Sequence, residues 1–291
     1  MTIANSTARL LLIIYGVLLT IVLIYFRFPT DEFNTFCAKK FELTFTNTAC
    51  KIGRIHYGFP TSIVFEKVVF QKLNREQQAV FTIDKITLRP AIKFWNTFKL
   101  SGILYAGTVK STLGVNWENN GYKLTDIVLS ALSLQEIIKD QGIVNREITG
   151  SLSGSGQYQN HRKLSTATFG KIRMVLESGS FEVLQPILGL AAIDFKRIVV
   201  DLLFGEQLEL QQGQLSGKDI RADFAGTIYL RNNLPDSSVI LSGHIQPKRE
   251  FLQKNPEGAK FVKQYAKRYK STDLPFKLAG TLSHPTFRFS R

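Results

Sequence analysis

The stretch Ile220-Arg-Ala-Asp-Phe-Ala-Gly-Thr-Ile-Tyr-Leu230 decides the fold. Ile220, Ala222, Phe224, Gly226, Ile228 and Leu230 fall on one side of an extended chain, and Arg221, Asp223 and Thr227 on the other. Side chains alternate between the faces of a strand, so this pattern predicts a strand with one oily and one wet face.

The same pattern recurs on both sides of that stretch. Toward the C-terminus, Val239, Leu241, Gly243 and Ile245 repeat the alternation, and Phe276, Leu278, Gly280 and Leu282 do so again. Toward the N-terminus, Ile148, Leu152 and Tyr158 stand against Thr149, Ser151, Ser153, Ser155 and Gln157. Gly102, Gly150, Gly226, Gly243 and Gly280 each follow a small residue among strand formers. Glycine weakens a strand interior, so its recurrence predicts bends or the close approach of another backbone. The expected fold is mainly β: successive rungs of one elongated, curved antiparallel sheet, with a few short covering helices. Leu152, Phe224, Ile228, Leu241, Leu278 and Leu282 are expected on its apolar face.

Further upstream, Val109, Leu113, Val115 and Trp117 alternate with Lys110, Thr112 and Asn116, before a turn at Asn119-Asn120-Gly121. Ile63 to Phe70 and Ala79 to Leu88 are β-rich runs, with Asn74-Arg75-Glu76 as the turn between them. The second run slips phase near Lys85, which predicts a bulge. Phe41, Leu43 and Phe45 alternate with Glu42, Thr44 and Thr46, so a strand is expected from Phe41. Ser133-Leu-Gln-Glu136 has capping-box spacing and opens a short helix, with Leu134, Ile137 and Ile138 apolar and Gly142 as its stop. In a later helix Asn255 is the cap, Pro256 the first residue and Glu257 the acid at the positive end. Its apolar side is Phe261, Val262, Tyr265 and Tyr269, and Lys260, Lys263, Lys267, Arg268 and Lys270 supply charge. Two roles are open to it: resting on a membrane surface, or covering an open end of the sheet.

The N-terminal run Leu10 to Phe26, LLLIIYGVLLTIVLIYF, holds no charge and lies between Arg9 and Arg27. With its flanking arginines it reaches about 28 Å as a helix, close to the hydrocarbon thickness of a bilayer. Arginine and tyrosine suit the two interfaces. The exit Tyr25-Phe26-Arg27-Phe28-Pro29 is bulky and lacks the small residues of a cleavage site, so the segment is expected to remain. The expected organisation is a cytoplasmic head (1–9), a transmembrane anchor (10–27) and a β-rich periplasmic domain (28–291). Thr30 then caps a short helix whose stripe is Phe33, Phe36, Cys37 and Lys40.

Composition limits what the tail does. The chain is 44% hydrophobic and 21% charged, which fits a folded domain of about 265 residues beyond the anchor. The formal charge of +14 either attracts anionic headgroups and acidic partners or simply solvates the surface. No nucleic-acid motif is present, so no nucleic-acid partner is expected. Cys37 and Cys50 either close a short disulfide loop worth about 3 kcal/mol or are two separate buried thiols. The four histidines are scattered and none lies near a cysteine at metal-ligand spacing. Gly213-Gln-Leu-Ser-Gly217-Lys218-Asp219 is one residue short of a phosphate loop and lacks Ser or Thr after the lysine. Gly154-Ser-Gly156 lies in an alternating strand, and no Gly-x-Ser-x-Gly elbow occurs. The expectation is a protein that is not an enzyme and carries no cofactor.

Several segments resemble the type II secretion system protein N family. They are the anchor followed by Phe28-Pro29, Ile148 to Tyr158, Ser178-Gly-Ser-Phe-Glu-Val-Leu-Gln-Pro-Ile-Leu-Gly-Leu190, Gly217 to Leu230, Leu241-Ser-Gly-His-Ile245, and Leu274 to Leu282. The similarity is to the family's divergent branch, and Leu-x-Gly-x-Leu strands are shared with AsmA-like and TamB-like envelope proteins. The resemblance implies a single-pass inner-membrane protein with its bulk in the periplasm, accessory to export of folded proteins across the outer membrane. It implies partnership with other secretion components and transfers no catalytic residue. The leading expectation is the secretion component; the alternative, implied by the AsmA-like similarity, is a trough whose oily face holds the acyl chains of phospholipid. A scaffold would bury that face under helices; a carrier would keep an apolar groove larger than a monomer ordinarily exposes.

Overall fold

The computed structural model describes residues 3–26, 30–44, 48–59, 61–72, 79–91, 94–116, 121–141, 146–160, 169–231 and 234–290. The alternating stretches become a ladder in which each strand pairs antiparallel with the one before and after it in the chain. The first six strands are Thr48–Gly58 (β1), Ser62–Lys72 (β2), Ala79–Ala91 (β3), Phe94–Leu104 (β4), Gly107–Asn116 (β5) and Gly121–Ser133 (β6). The next five are Ser151–Asn160 (β7), Phe169–Ile187 (β8), Leu190–Phe204 (β9), Leu208–Gly217 (β10) and Ile220–Tyr229 (β11). Ser238–Pro247 (β12), Leu274–Thr281 (β13) and Pro285–Phe289 (β14) complete a fourteen-stranded sheet. The helices are Ile3–Phe26 (α1), Thr30–Thr44 (α2), Leu134–Asp140 (α3), Arg249–Lys254 (α4) and Pro256–Tyr269 (α5).

Register gathers the apolar positions into continuous rows. Leu132, Leu152, Leu176, Ile198, Leu215, Ala222, Ile245 and Leu274 are successive partners from β6 to β13. One residue along, Ser151, Glu177, Arg197, Ser216, Arg221 and Gln246 form the matching row of the other face. A slip of a single residue would exchange the two rows, so burial of the first fixes the register of every strand it crosses.

Two apolar clusters lie on this sheet. Cys50, Ile52, Ile55, Phe65, Val68 and Ile83 belong to the first, and Phe33 and Cys37 of α2 pack against it. Ile198, Leu215, Ile220, Ile245 and Leu274 belong to the second, with Phe251 of α4 and Val262 of α5. Leu152 touches both. β1 to β14 are therefore one sheet with two centres of packing.

The helix signals translate directly. Ser133 Oγ accepts the Glu136 N–H at 3.4 Å and opens α3. Asn255 Oδ1 accepts the Gly258 N–H at 2.9 Å at the start of α5, with Pro256 in its first turn. Of the two roles open to α5, covering the sheet is the one seen: Val262 is 6% exposed in the second cluster, while Lys260, Lys263 and Lys267 face out.

Two expectations are corrected. Residues 41–44 belong to α2 rather than to a strand, and the first strand begins at Thr48. The helix is held to the sheet over the two turns before this, where Phe33 and Cys37 pack on the β1 cluster and Asn34 Nδ2 donates to the Ile52 carbonyl at 3.1 Å. The six-residue alternation from Phe41 to Thr46 does not override a helix already docked. Near Lys85 the phase slip exists, but no bulge accompanies it. Core positions are spaced by three in all three strands at this line: Ile52 and Ile55, Phe65 and Val68, Ile83 and Ile86. The pairs Ile52–Val68, Arg54–Glu66, Val68–Ile83 and Glu66–Lys85 stay in register across it. Gly53, Lys67 and Asp84 mark the line, and Lys67 takes φ of +53°. A bulge sets two residues against one; here every strand shifts together, so none gains a residue.

α1 is helical throughout Leu10 to Phe26, and Leu10, Leu12, Ile13 and Val17 are each more than half exposed. Among the described residues no helix is long and apolar enough to cross a membrane. Arg27, Phe28, Pro29, Phe45, Asn74 to Glu76, Trp117, Asn119, Asn120 and Gly142 lie outside the described residues.

Candidate functional site

The β8–β9 hairpin is longer than its neighbours, and this builds the site. β7 pairs with β8 only as far as Glu177. Ser178 then takes φ of +51°, and β8 continues to Ile187 against β9. The segment before β7 follows it, with Thr149 N–H bonding the Ser180 carbonyl at 2.9 Å and Ile148 bridging Phe181. Gly150 at φ +122° turns the chain there; a Cβ would also crowd the Glu177 carbonyl at 3.1 Å. The hairpin turns at Leu188 and Gly189, and Asn255 Nδ2 donates to the Leu188 carbonyl at 2.8 Å. One asparagine thus caps α5 and hooks the hairpin tip to it.

At the other end of this half of the sheet, β14 comes back against β8, so the apolar face curls toward itself. Between them is a cavity of about 220 Å³. Phe224, Leu241, Ile245, Phe276, Leu278 and Phe287 wall one side. Val183, Leu184 and Ile187 from the hairpin wall the other. Phe224 is positioned by its cross-strand partners, Gly213 on one side and Gly243 on the other. A Cβ at residue 213 would stand 2.3 Å from the Phe224 ring, so only glycine lets the ring lie over its neighbour strand.

Arg146, Glu182 and Gln185 are the hydrophilic side chains of the lining. Arg146 Nη2 donates to the Leu282 carbonyl, tying the segment before β7 to the turn after β13. Arg146 Nε is buried and has no hydrogen-bond acceptor among the described residues. Burial pushes the Arg146 guanidinium below its ordinary pKa. Glu182 Oε2 is already engaged, accepting the Glu147 N–H at 2.9 Å.

Of the residues expected on the apolar face, Phe224, Leu241 and Leu278 line this cavity. Ile228 and Leu152 pack against the same cluster away from it. Leu282 is a correction: β13 ends at Thr281, and Leu282 enters the turn, where its N–H bonds the Ser237 carbonyl at 2.9 Å. It serves the site through its carbonyl, as the acceptor for Arg146. Arg9 is exposed on α1. Cys37 and Cys50 are thiols brought to one apolar cluster, and burial raises the Cys37 pKa. Among the described residues no three of His, Cys, Asp and Glu lie together as a metal ion requires.

Sequence reasoning missed Arg146, the hairpin wall and Phe287. The hairpin could have been found in the apolar run Phe181 to Leu190, and β14 in the alternation of Phe287 and Phe289 with Thr286 and Arg288. Arg146 has no local signal, because its partner Leu282 is 136 residues away. Comparison with family models, curated proteins and solved structures gave no match to this chain.

Proposed function

We propose that the protein is a membrane-tethered, non-catalytic component of the cell envelope that holds an acyl chain, such as that of a phospholipid, in the groove between β8 and β14. α4 and α5 cover the face at Phe251 and Val262, so the reading rests on the part they leave open between β8 and β14, an apolar cavity of about 220 Å³. In a different protein, an engineered apolar cavity of about 150 Å³ stays dry and takes benzene. The space here admits a stretch of hydrocarbon chain on the same grounds. The tether is α1, whose exposed leucines and isoleucines are stabilised by lipid rather than water, at about 25 cal/mol per Å² of apolar surface removed from water. This tether rests on the uncharged run Leu10 to Phe26 in the sequence, since no helix among the described residues is long and apolar enough to cross a membrane; on that basis residues 1–9 stay in the cytoplasm, 10–27 anchor in the inner membrane and 28–291 occupy the periplasm. Purification of the full chain from membranes, followed by mass spectrometry of what travels with it, tests the reading. Phospholipid or fatty acid near one equivalent is expected, and a lipid-free protein would overturn it.

A second reading, an accessory scaffold of the type II secretion system, is supported by the resemblance described above and by the open sheet. β14 pairs only with β13 among the described residues, leaving one backbone edge for strand addition by a partner. Crosslinking from Arg288 in native membranes tests it: capture of a secretion component supports the scaffold, and its absence removes it.

A further inference from the structure

Arg173 shows what one edge of a guanidinium does in this molecule when a carboxylate is within reach. Its Nε and Nη2 each bond one oxygen of Asp201 at 2.7 Å. On Arg146 the same edge is half used. Nη2 meets the Leu282 carbonyl, while Nε is buried in the lining of an apolar cavity with no acceptor among the described residues. Arg146 as a whole is half-buried, but its Nε–H is buried, and a buried donor left without an acceptor costs free energy and is rare. Among the described residues no carboxylate pairs with Arg146 in an ion pair, and Glu182 in the same lining bonds the Glu147 backbone. A carbonyl tied into a turn satisfies one donor and leaves the positive charge without a counter-ion.

We propose that the missing acceptor belongs to the ligand, so that the groove selects a chain carrying a carboxylate or phosphate head over a neutral one. The hydrocarbon lies against Phe224, Leu241 and Leu278, and the anionic oxygen accepts a hydrogen bond from the Arg146 Nε–H. A planar guanidinium is suited to both head chemistries. This specificity rests on the acyl-chain reading given above, since without a chain in the groove no head would be delivered to Arg146.

The test uses the full chain held in amphipol, with binding of hexadecanoate, hexadecyl phosphate and hexadecanol measured by displacement of a fluorescent apolar dye. At least one anion is expected to bind about tenfold or more tightly than hexadecanol, equivalent to about 1.4 kcal/mol. Whichever anion binds more tightly identifies the source of the head, fatty acid or phosphate monoester. Arg146→Gln should abolish the ratio by which the anion outbinds hexadecanol, whatever the common change in affinity, and Arg146→Lys should restore part of that ratio. Equal binding of anions and alcohol by the unaltered protein would overturn the proposal while leaving the groove intact. Equal weakening of all three ligands in Arg146→Gln would also overturn it, since Arg146 would then act only through its hold on Leu282. If none of the three binds, the acyl-chain reading itself falls.

Discussion

Two leucines four residues apart on β13 offer a direct measure of where the core ends and the groove begins. Leu274 is fully buried at the end of the row that crosses from β6, paired with Ile245. Leu278 lies further along the same strand and lines the cavity, opposite Leu241 and Phe287. Truncating leucine to alanine removes three carbons, about 2.4 kcal/mol at about 0.8 per methylene. At Leu274 a cavity term adds to this, because the strand ladder prevents collapse, and the total should reach about 3–5 kcal/mol. At Leu278 one flank of the side chain faces space, so fewer contacts are lost and Leu278→Ala should cost about 2 kcal/mol or less. Against a stability of about 5–15 kcal/mol, the first change is severe and the second mild. Urea unfolding followed by circular dichroism reads the difference. With a slope near 3 kcal/mol per molar, Leu274→Ala should lower the midpoint by about 1 M or more and Leu278→Ala by well under 1 M. Equal losses would refute the reasoning, because Leu278 would then sit in a filled core and the groove would not exist.

Other outcomes follow from single residues. A Cβ at Gly243 would stand 2.0 Å from the Asp223 carbonyl, so Gly243→Ala should destabilise by about 1–3 kcal/mol in the same assay. Gly114 has only ordinary contact, 3.9 Å to the Lys123 carbonyl, so Gly114→Ala should be neutral or stabilise by up to about 1 kcal/mol. The Tyr105 hydroxyl donates to Asp140 Oδ2 at 3.0 Å and accepts the Thr82 N–H at 3.4 Å, so Tyr105→Phe should cost about 1–2 kcal/mol. Burial, and after it the charge of Asp140, holds the phenol above its ordinary pKa. That contribution is present below pH about 10 and is lost as pH rises toward the folded value, so the alkaline fall in unfolding midpoint should be shallower in Tyr105→Phe. The hydrogen bond from Arg173 holds the Asp201 carboxyl below its ordinary value. Its contribution is full above pH about 3.9 and lost as pH falls through the folded value, and Asp201→Asn should flatten that acid slope.

The sheet was legible because its strands alternate over long enough stretches to fix faces, and Ile220 to Leu230 alone separates the two. What alternation could not supply was the line at Gly53, Lys67 and Asp84, where three strands change phase together. From a single strand that event looks like a bulge; its nature lies in the pairing. The run at Phe41 to Phe45 misled because two neighbouring elements compete for it, and the docked helix won. Phe224, Leu241 and Leu278 could be placed on the apolar face from period two, though not told apart from Leu152 and Ile228 outside the groove, whereas Leu282 could not, since the strand ends one residue earlier. Arg146 was invisible for a further reason. Its role comes from curling of the sheet, which brings the turn after β13 to the segment before β7, and no local pattern records that.

The central claim is that the apolar face of β11 to β14 holds hydrocarbon in the living envelope. A photo-crosslinking amino acid placed at Leu278, and in a second protein at Arg221 on the opposite face, tests it most directly in intact membranes. Lipid-mass adducts are expected at residue 278 and none at residue 221. Protein adducts at 278, or equal lipid labelling at both positions, would contradict it.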